Sequence, residues 1–274
     1  MTQITQKGKR RTDGPCLSAK SAASVDEFPL DEILRHIRLT DSLTLKTGGP
    51  RILRVPGAAT RLTVEELKQI HFEKRQEIRD RLDEFARVGR TGSHQRLFEE
   101  LTFCIFTAGA SARMGLRSVE GIRSLLMKGS SRQIKRALAG RHRFPNSRGA
   151  YVYETREYLR EACGLKLRHA LGSFESSDER RDFLAANRSV RGIGYKEASH
   201  FLRNVGFRGY AILDKHLLSR LAEFGVIETP KPPSTKARYL AIEEKLKLFA
   251  DSVGIDFDEL DLLLWYSKTG EILK

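Results

Sequence analysis

The chain has 274 residues, 40% of them hydrophobic and 31% charged, enough to bury a sizeable core as one large domain or two small ones. It contains no run of about 18 apolar residues, which argues against a transmembrane helix, and Cys16, Cys104 and Cys163 follow no metal-ligand spacing. With 49 Lys and Arg against 35 Asp and Glu, the net charge of +14 points to a polyanionic partner, although a solvated basic surface alone would also account for it.

The first 25 or so residues are polar, basic and aperiodic and read as a tail able to touch phosphates non-specifically. No apolar leader segment is recognisable, and widely spaced cysteines suit a reducing compartment, so a cytoplasmic, nucleoid-associated protein is expected. Phe28, Leu30, Ile33, Leu34 and Ile37 suit a short amphipathic helix. Alternating residues on either side of Gly48-Gly49-Pro50 give a β-hairpin signal. Residues 1–62 are read as an extension to a main domain over 63–274.

Thr63 and Glu66 form a capping-box pattern, so a long helix is predicted over 64–88 with Gly89 just past its end. The stretch 97–106, LFEELTFCIF, is the most apolar helical pattern and the candidate centre of the domain. Two short helices are predicted over 119–127 and 132–138. After Phe144-Pro145 a further helix carries Tyr151, Tyr153 and Tyr158, as core packing or as a platform for a base. Residues 230–234 read as a linker and 239–249 as a helix. The last helix starts at Asp256, with Glu259 as its capping-box partner, and carries Leu260, Leu263, Leu264 and Trp265.

Between these lies the most informative stretch, 187–221. Arg191-Gly192-Ile193-Gly194 is a tight turn with glycines where a backbone bends or closely approaches another group. Lys196 follows at the start of a helix whose Ala198, Phe201, Leu202 and Val205 recur at three- and four-residue steps and mark a buried face. Gly206 and Gly209 close that helix. The apolar run Tyr210-Ala211-Ile212-Leu213 then leads to Asp214, at the head of the helix beginning Lys215-His216.

This stretch, with Ser199-His200-Phe201-Leu202-Arg203-Asn204-Val205-Gly206 and Ala211-Ile212-Leu213-Asp214-Lys215-His216, resembles the type 2 8-oxoguanine DNA glycosylase/lyases of the helix-hairpin-helix superfamily, the archaeal and bacterial branch. The resemblance covers residues 75–274. It implies a mainly α, two-lobed fold with a DNA cleft between the lobes and the hairpin motif over about 178–206. It also implies Lys196 as a Schiff-base nucleophile, Asp214 as its partner, and Trp265 and the final residue Lys274 as readers of the damaged base. At Ala108-Gly109-Ala110 the chain departs from the Pro-Gln-Ser of that family, so a base contact made through the glutamine is absent.

The residues themselves support such chemistry. Backbone amides of Gly192, Ile193 and Gly194 at a helix N-terminus can hold a phosphate. A base must leave the stack before its C1′ is attacked, and the attacking species is a neutral amine, which the N-terminal end of a helix favours at Lys196. Asp214 can stabilise positive charge on the sugar or cap its helix for about 1 kcal/mol. No metal and no organic cofactor are expected, and the partner is double-stranded DNA containing oxidised guanine, bound by a monomer. Two other readings stay open at this point: a glycosylase or abasic-site lyase for another lesion, and a non-catalytic helix-hairpin-helix DNA-binding module. For the C-terminus the alternative is a helix closed by Gly270 with a frayed basic tail.

Overall fold

The computed structural model describes residues 61–273; the helix and β-hairpin expected over 28–55, and Lys274, lie outside them. Among the described residues the regular structure is helical throughout, with no strand. Thr63 caps α1 (Val64–Thr91) with the predicted reciprocal bonds to Glu66. That helix runs past Gly89 rather than ending before it. Gly89 serves a close approach instead: a Cβ there would lie 2.0 Å from the carbonyl oxygen of Val205, so only glycine lets the two backbones meet.

α2 (His94–Thr107) is buried continuously from Leu97 to Thr107, as its apolar sequence predicts for a helix with neighbours on every side. Around it pack α3 (Ala112–Ile122) with a 3₁₀ turn (Arg123–Leu125), α4 (Ser131–Leu138), α5 (Pro145–Cys163), α6 (Leu167–Gly172), α7 (Ser177–Ala185) and α8 (Tyr195–Asn204). The predicted helix over 119–127 therefore starts earlier, at the Ser111 cap, and finishes as the 3₁₀ turn. The side chains of these helices form one core, from Leu97 through Phe103, Val152, Leu184 and Phe201 to Tyr210.

A second core joins α1 to the later part of the chain. Leu67, Ile78, Leu82 and Phe85 of α1 meet Ala211 and Leu213, then α9 (Lys215–Glu223), α10 (Lys236–Val253) and α11 (Phe257–Thr269). The chain thus lays down one helix of the second lobe, builds the first lobe, and returns. The seam is α8: Phe201 and Leu202 sit in the first core, while Tyr195, on the same helix, packs against the second.

The start of α11 departs from the predicted capping box. Asp256 does cap, accepting from the Asp258 and Glu259 amides at 3.0 and 3.1 Å. Glu259 turns instead to α1, where His71 Nε2 and Arg79 Nε each lie 2.6 Å from its oxygens. The Arg79 guanidinium and the His71 ring on a neighbouring helix outcompete one exposed backbone amide. Burial pushes the Glu259 carboxyl up, but the bonds from Arg79 and His71 outweigh it and hold the group below the usual range.

A carboxylate held low in the folded state stabilises the fold above its unfolded pKa of about 4.3 and loses that contribution as pH falls through the folded value. Glu259→Gln is therefore expected to lower stability by about 2 kcal/mol near neutrality. The difference from wild type should vanish on acidification, as read from denaturant melts across pH; a gap that persists in acid would contradict this.

Candidate active site

The backbone from Gly209, which turns with φ +82°, to Leu213 is non-helical and among the described residues pairs with no strand, so its polar groups need partners elsewhere. Carboxylates from α10 and α11 supply them. Asp258 accepts from the Gly209 amide at 3.0 Å, Glu243 from Ala211 at 2.8 Å, and Asp261 from Ile212 at 2.9 Å. The Tyr239 hydroxyl donates to the Ala211 carbonyl at 2.7 Å, and burial drives its phenol far up. Two of the carboxylates are themselves paired: Arg181 Nη2 lies 2.7 Å from Glu243, and Arg203 Nη1 2.7 Å from Asp261.

This scaffold delivers Asp214 to the head of α9. Its amide donates back to the Ile212 carbonyl at 2.6 Å, and its Oδ1 accepts from both His216 and Leu217 amides at 2.8 Å. The capping expected from sequence is present, and it fixes the carboxylate's orientation.

The hairpin opens with α7, capped reciprocally by Ser176 and Glu179. Asn187 then bonds the Ser189 amide at 3.0 Å and the Tyr158 hydroxyl at 2.7 Å, and the Arg191 amide donates to Thr155 Oγ1 at 2.8 Å. These bonds bolt the turn to α5. Gly192 has φ +76°, and a Cβ there would strike the Tyr151 ring at 2.6 Å. Ile193 is buried and anchors the turn, and Gly194 is the N-cap of α8. Tyr195 donates to Asp182 at 2.6 Å, which also takes Lys236 at 2.6 Å. Burial and that carboxylate push the Tyr195 phenol up to about 12.

Lys196 stands in the first turn of α8, with its Nζ 2.9 Å from Glu197 Oε1. The other Glu197 oxygen accepts from the Gly194 amide at 3.3 Å. The positive end of this helix is thus already faced by a carboxylate, a feature the reading of Lys196 from sequence did not include.

Lys196, Asp214, Gly194 and Trp265 line one cleft of about 1120 Å³, together with His200 and His216. Its opposite wall is Thr107 and residues 109–114, where the departing Gly109-Ala110 segment lies. Gly192 and Ile193 sit beside the cleft, one turn before Lys196. The tail after α11 is ordered against the protein: Gly270 closes the helix with φ +71°, Ile272 is buried and Leu273 lines the cleft. Glu271 pairs with Arg113 of α3, tying the tail across to the first lobe. The frayed-tail alternative therefore fails for 270–273.

None of Tyr151, Tyr153 and Tyr158 lines the cleft. They pack on the first core, and guanidiniums of Arg148 and Arg156 stack on Tyr151 and Tyr153. Glu197, Arg203, Glu243 and Asp261 were missed in the sequence. Charged residues interrupting apolar helical stripes, as Asp261 does in DELDLLL, were the available signal.

The family described as 8-oxoguanine DNA glycosylase matches residues 78–255. An 8-oxoguanine DNA glycosylase/AP lyase of Korarchaeum cryptofilum is 39% identical over 201 residues, covering 73% of this chain and 91% of that protein. The Methanocaldococcus jannaschii enzyme of the same name is 35% identical over 213 residues, 76% of this chain and 99% of its own. The crystal structure of the Thermotoga maritima 8-oxoguanine DNA glycosylase superposes with a TM-score of 0.69 at 35% identity, covering 77% of this chain and 98% of that one. The Methanocaldococcus jannaschii glycosylase/lyase, solved with a 15-mer DNA containing 8-oxoguanine, also gives 0.69, at 33% identity and 77% and 99% coverage.

The scaffold behind Asp214 yields a test. Glu243→Gln keeps an acceptor for the Ala211 amide but leaves the Arg181 guanidinium buried opposite a neutral group. A cost of about 3–5 kcal/mol is expected, read as a lowered denaturation midpoint; a change below about 1 kcal/mol would show that the pair does not hold this segment.

Proposed function

Because this chain belongs to the 8-oxoguanine DNA glycosylase family, we propose that it excises 8-oxoguanine from double-stranded DNA through Lys196 and nicks the abasic product. The observation carrying this reading is the convergence of Lys196, Asp214 and Trp265 on one cleft between the two lobes. The amides of Gly192 and Ile193, joined by that of Gly194 once it leaves Glu197, hold a phosphate of the lesion strand at the start of α8. The target nucleotide turns out of the stack into the cleft, where Trp265 stacks on the base.

Lys196 Nζ leaves Glu197 and attacks C1′ as a neutral amine; the N-glycosidic bond breaks with its electron pair on the base. Asp214 stabilises the positive charge developing on the sugar and accepts the proton lost by the amine, which passes to the departing base. The amine nitrogen then expels O4′ from C1′, O4′ taking a proton from solvent as the sugar ring opens, and the protonated Schiff base so formed acidifies the C2′ hydrogen. Its removal expels the 3′ phosphate by β-elimination, and water then hydrolyses the imine to restore Lys196. No step needs a metal or an organic cofactor.

Lys274, next in sequence after Leu273, is assigned to base recognition on the resemblance; its deletion is the natural probe of discrimination between 8-oxoguanine and guanine. The Ala108–Ala110 segment lacks the family's glutamine, so selectivity falls more heavily on Trp265 and the tail. Residues 63–274 constitute the glycosylase domain, and 1–62 extend it. The protein works as a monomer in the cytoplasm, associated with the nucleoid.

Lys196→Gln is expected to abolish base release and strand cleavage while DNA affinity stays within about 3-fold. Asp214→Asn retains a good helix cap, so its melting temperature should stay near wild type while base release falls by at least about 100-fold. Single-turnover assays on an 8-oxoguanine duplex, with melting controls, read both. Undiminished cleavage by Lys196→Gln would overturn the nucleophile, and an active Asp214→Asn would reduce Asp214 to a cap.

A further inference from the structure

Asp261 is 2% exposed and lies one helical turn before Trp265 on α11. Its two oxygens serve different elements. Oδ2 takes Arg203 Nη1 at 2.7 Å, from the helix that begins with Lys196. Oδ1 takes the Ile212 amide at 2.9 Å, and the Ile212 carbonyl in turn takes the Asp214 amide. Gly209 and Ala211 are held by carboxylates with no bond to α8. Among the described residues Asp261 is the charged group that bonds both the helix carrying Lys196 and the segment ending in Asp214, from the helix that presents Trp265; the Tyr239 hydroxyl of α10 makes a neutral link between the same two elements, to Ser199 Oγ at 3.2 Å and the Ala211 carbonyl at 2.7 Å. Among the described residues Asp261 is the carboxylate in contact with Arg203, with Asp258 acting from further off, and the buried Arg203 Nε finds no partner there.

We propose that Asp261 is a positioning residue for the Lys196 reaction, its carboxylate setting the register between the lysine's helix and the Asp214 segment. This rests on the roles given above to Lys196 and Asp214. A register set by two bonds near 2.8 Å is stiff, and displacement of a reacting group by about 1 Å costs roughly 100-fold in rate. The charged groups facing Asp261 are Arg203 from α8, Asp214 from the head of α9 and Asp258 from its own helix. Burial pushes the Asp261 carboxyl up to about 6, against the pull of Arg203 and the Ile212 amide, with Asp214 and Asp258 pushing it further. Above that pH the carboxylate is charged and both bonds are made; below it the ion pair with Arg203 is lost and the register loosens.

The test uses the full chain, wild type, Asp261→Asn, and the double variant Arg203→Met/Asp261→Asn. The double variant keeps an acceptor for the Ile212 amide and removes the stranded guanidinium, so it remains folded if the single variant does not. Base release is measured under single turnover from pre-formed 8-oxoguanine duplex complexes between pH about 5 and about 9, beside DNA affinity and melting temperature. Lys196, His200 and His216, which line the cleft, are unchanged in sequence in all three proteins, so differences between the profiles report the Asp261–Arg203 pair.

Positioning predicts a base-release rate about 10- to 100-fold lower in the double variant, with affinity within about 3-fold and melting recovered relative to Asp261→Asn. It also predicts that the wild-type acid limb near pH 6 disappears in the double variant. A rate that recovers together with melting, or an acid limb unchanged by the substitutions, overturns the proposal and leaves Asp261 as packing. Wild type that forms no borohydride-trapped adduct overturns the reading of Lys196, and this proposal with it; normal trapping by wild type, matched by the double variant, defeats this proposal alone.

Discussion

A non-helical segment buried without a sheet is a liability that this fold resolves with carboxylates. Residues 209–213 must cross between the lobes to bring Asp214 to the head of α9, and among the described residues no neighbouring strand receives their amides. Asp258, Glu243 and Asp261 take that place. Buried carboxylates need their own compensation, and Arg181 and Arg203 provide it for two of them. Those arginines belong to α7 and α8, the two helices of the hairpin. One constraint on a five-residue segment therefore ends by tying the hairpin to α10 and α11.

The same linkage explains why Lys196 and Asp214 meet in one cleft although they arise from different packing environments. α8 is buried in the first core along Phe201 and Leu202, while the Asp214 segment belongs to the second. Hydrophobic packing brings the lobes together but has little directional preference. Hydrogen bonds to charged groups fix the angle and register. The tail adds a second tie across the cleft, from Glu271 to Arg113.

Much of this was legible in the sequence where a local rule decides the outcome. The Thr63 cap, the apolar α2 and the glycine turn before Lys196 all follow from composition and spacing over a few residues. Gly89 and Glu259 did not, because their roles lie on helices far away in sequence: the Val205 carbonyl for one, His71 and Arg79 for the other. A helix-stop glycine and a close-approach glycine look alike until the partner backbone is in view. The three tyrosines of α5 were ambiguous for the same reason, since aromatic spacing alone does not say which face meets the cleft. Asp261 and Glu243 are the clearest case, as a charged residue within an apolar stripe marks a buried partner without naming it.

The central claim is that a single amine, at the start of α8, forms the covalent bond to DNA. The most direct measurement is to reduce the wild-type complex with an 8-oxoguanine duplex using borohydride, digest the protein and locate the modified residue by mass spectrometry. One modified peptide is expected, carrying the reduced sugar remnant on Lys196. The remnant on another lysine of the cleft, such as Lys215 or Lys236, or no modified peptide at all, would contradict it.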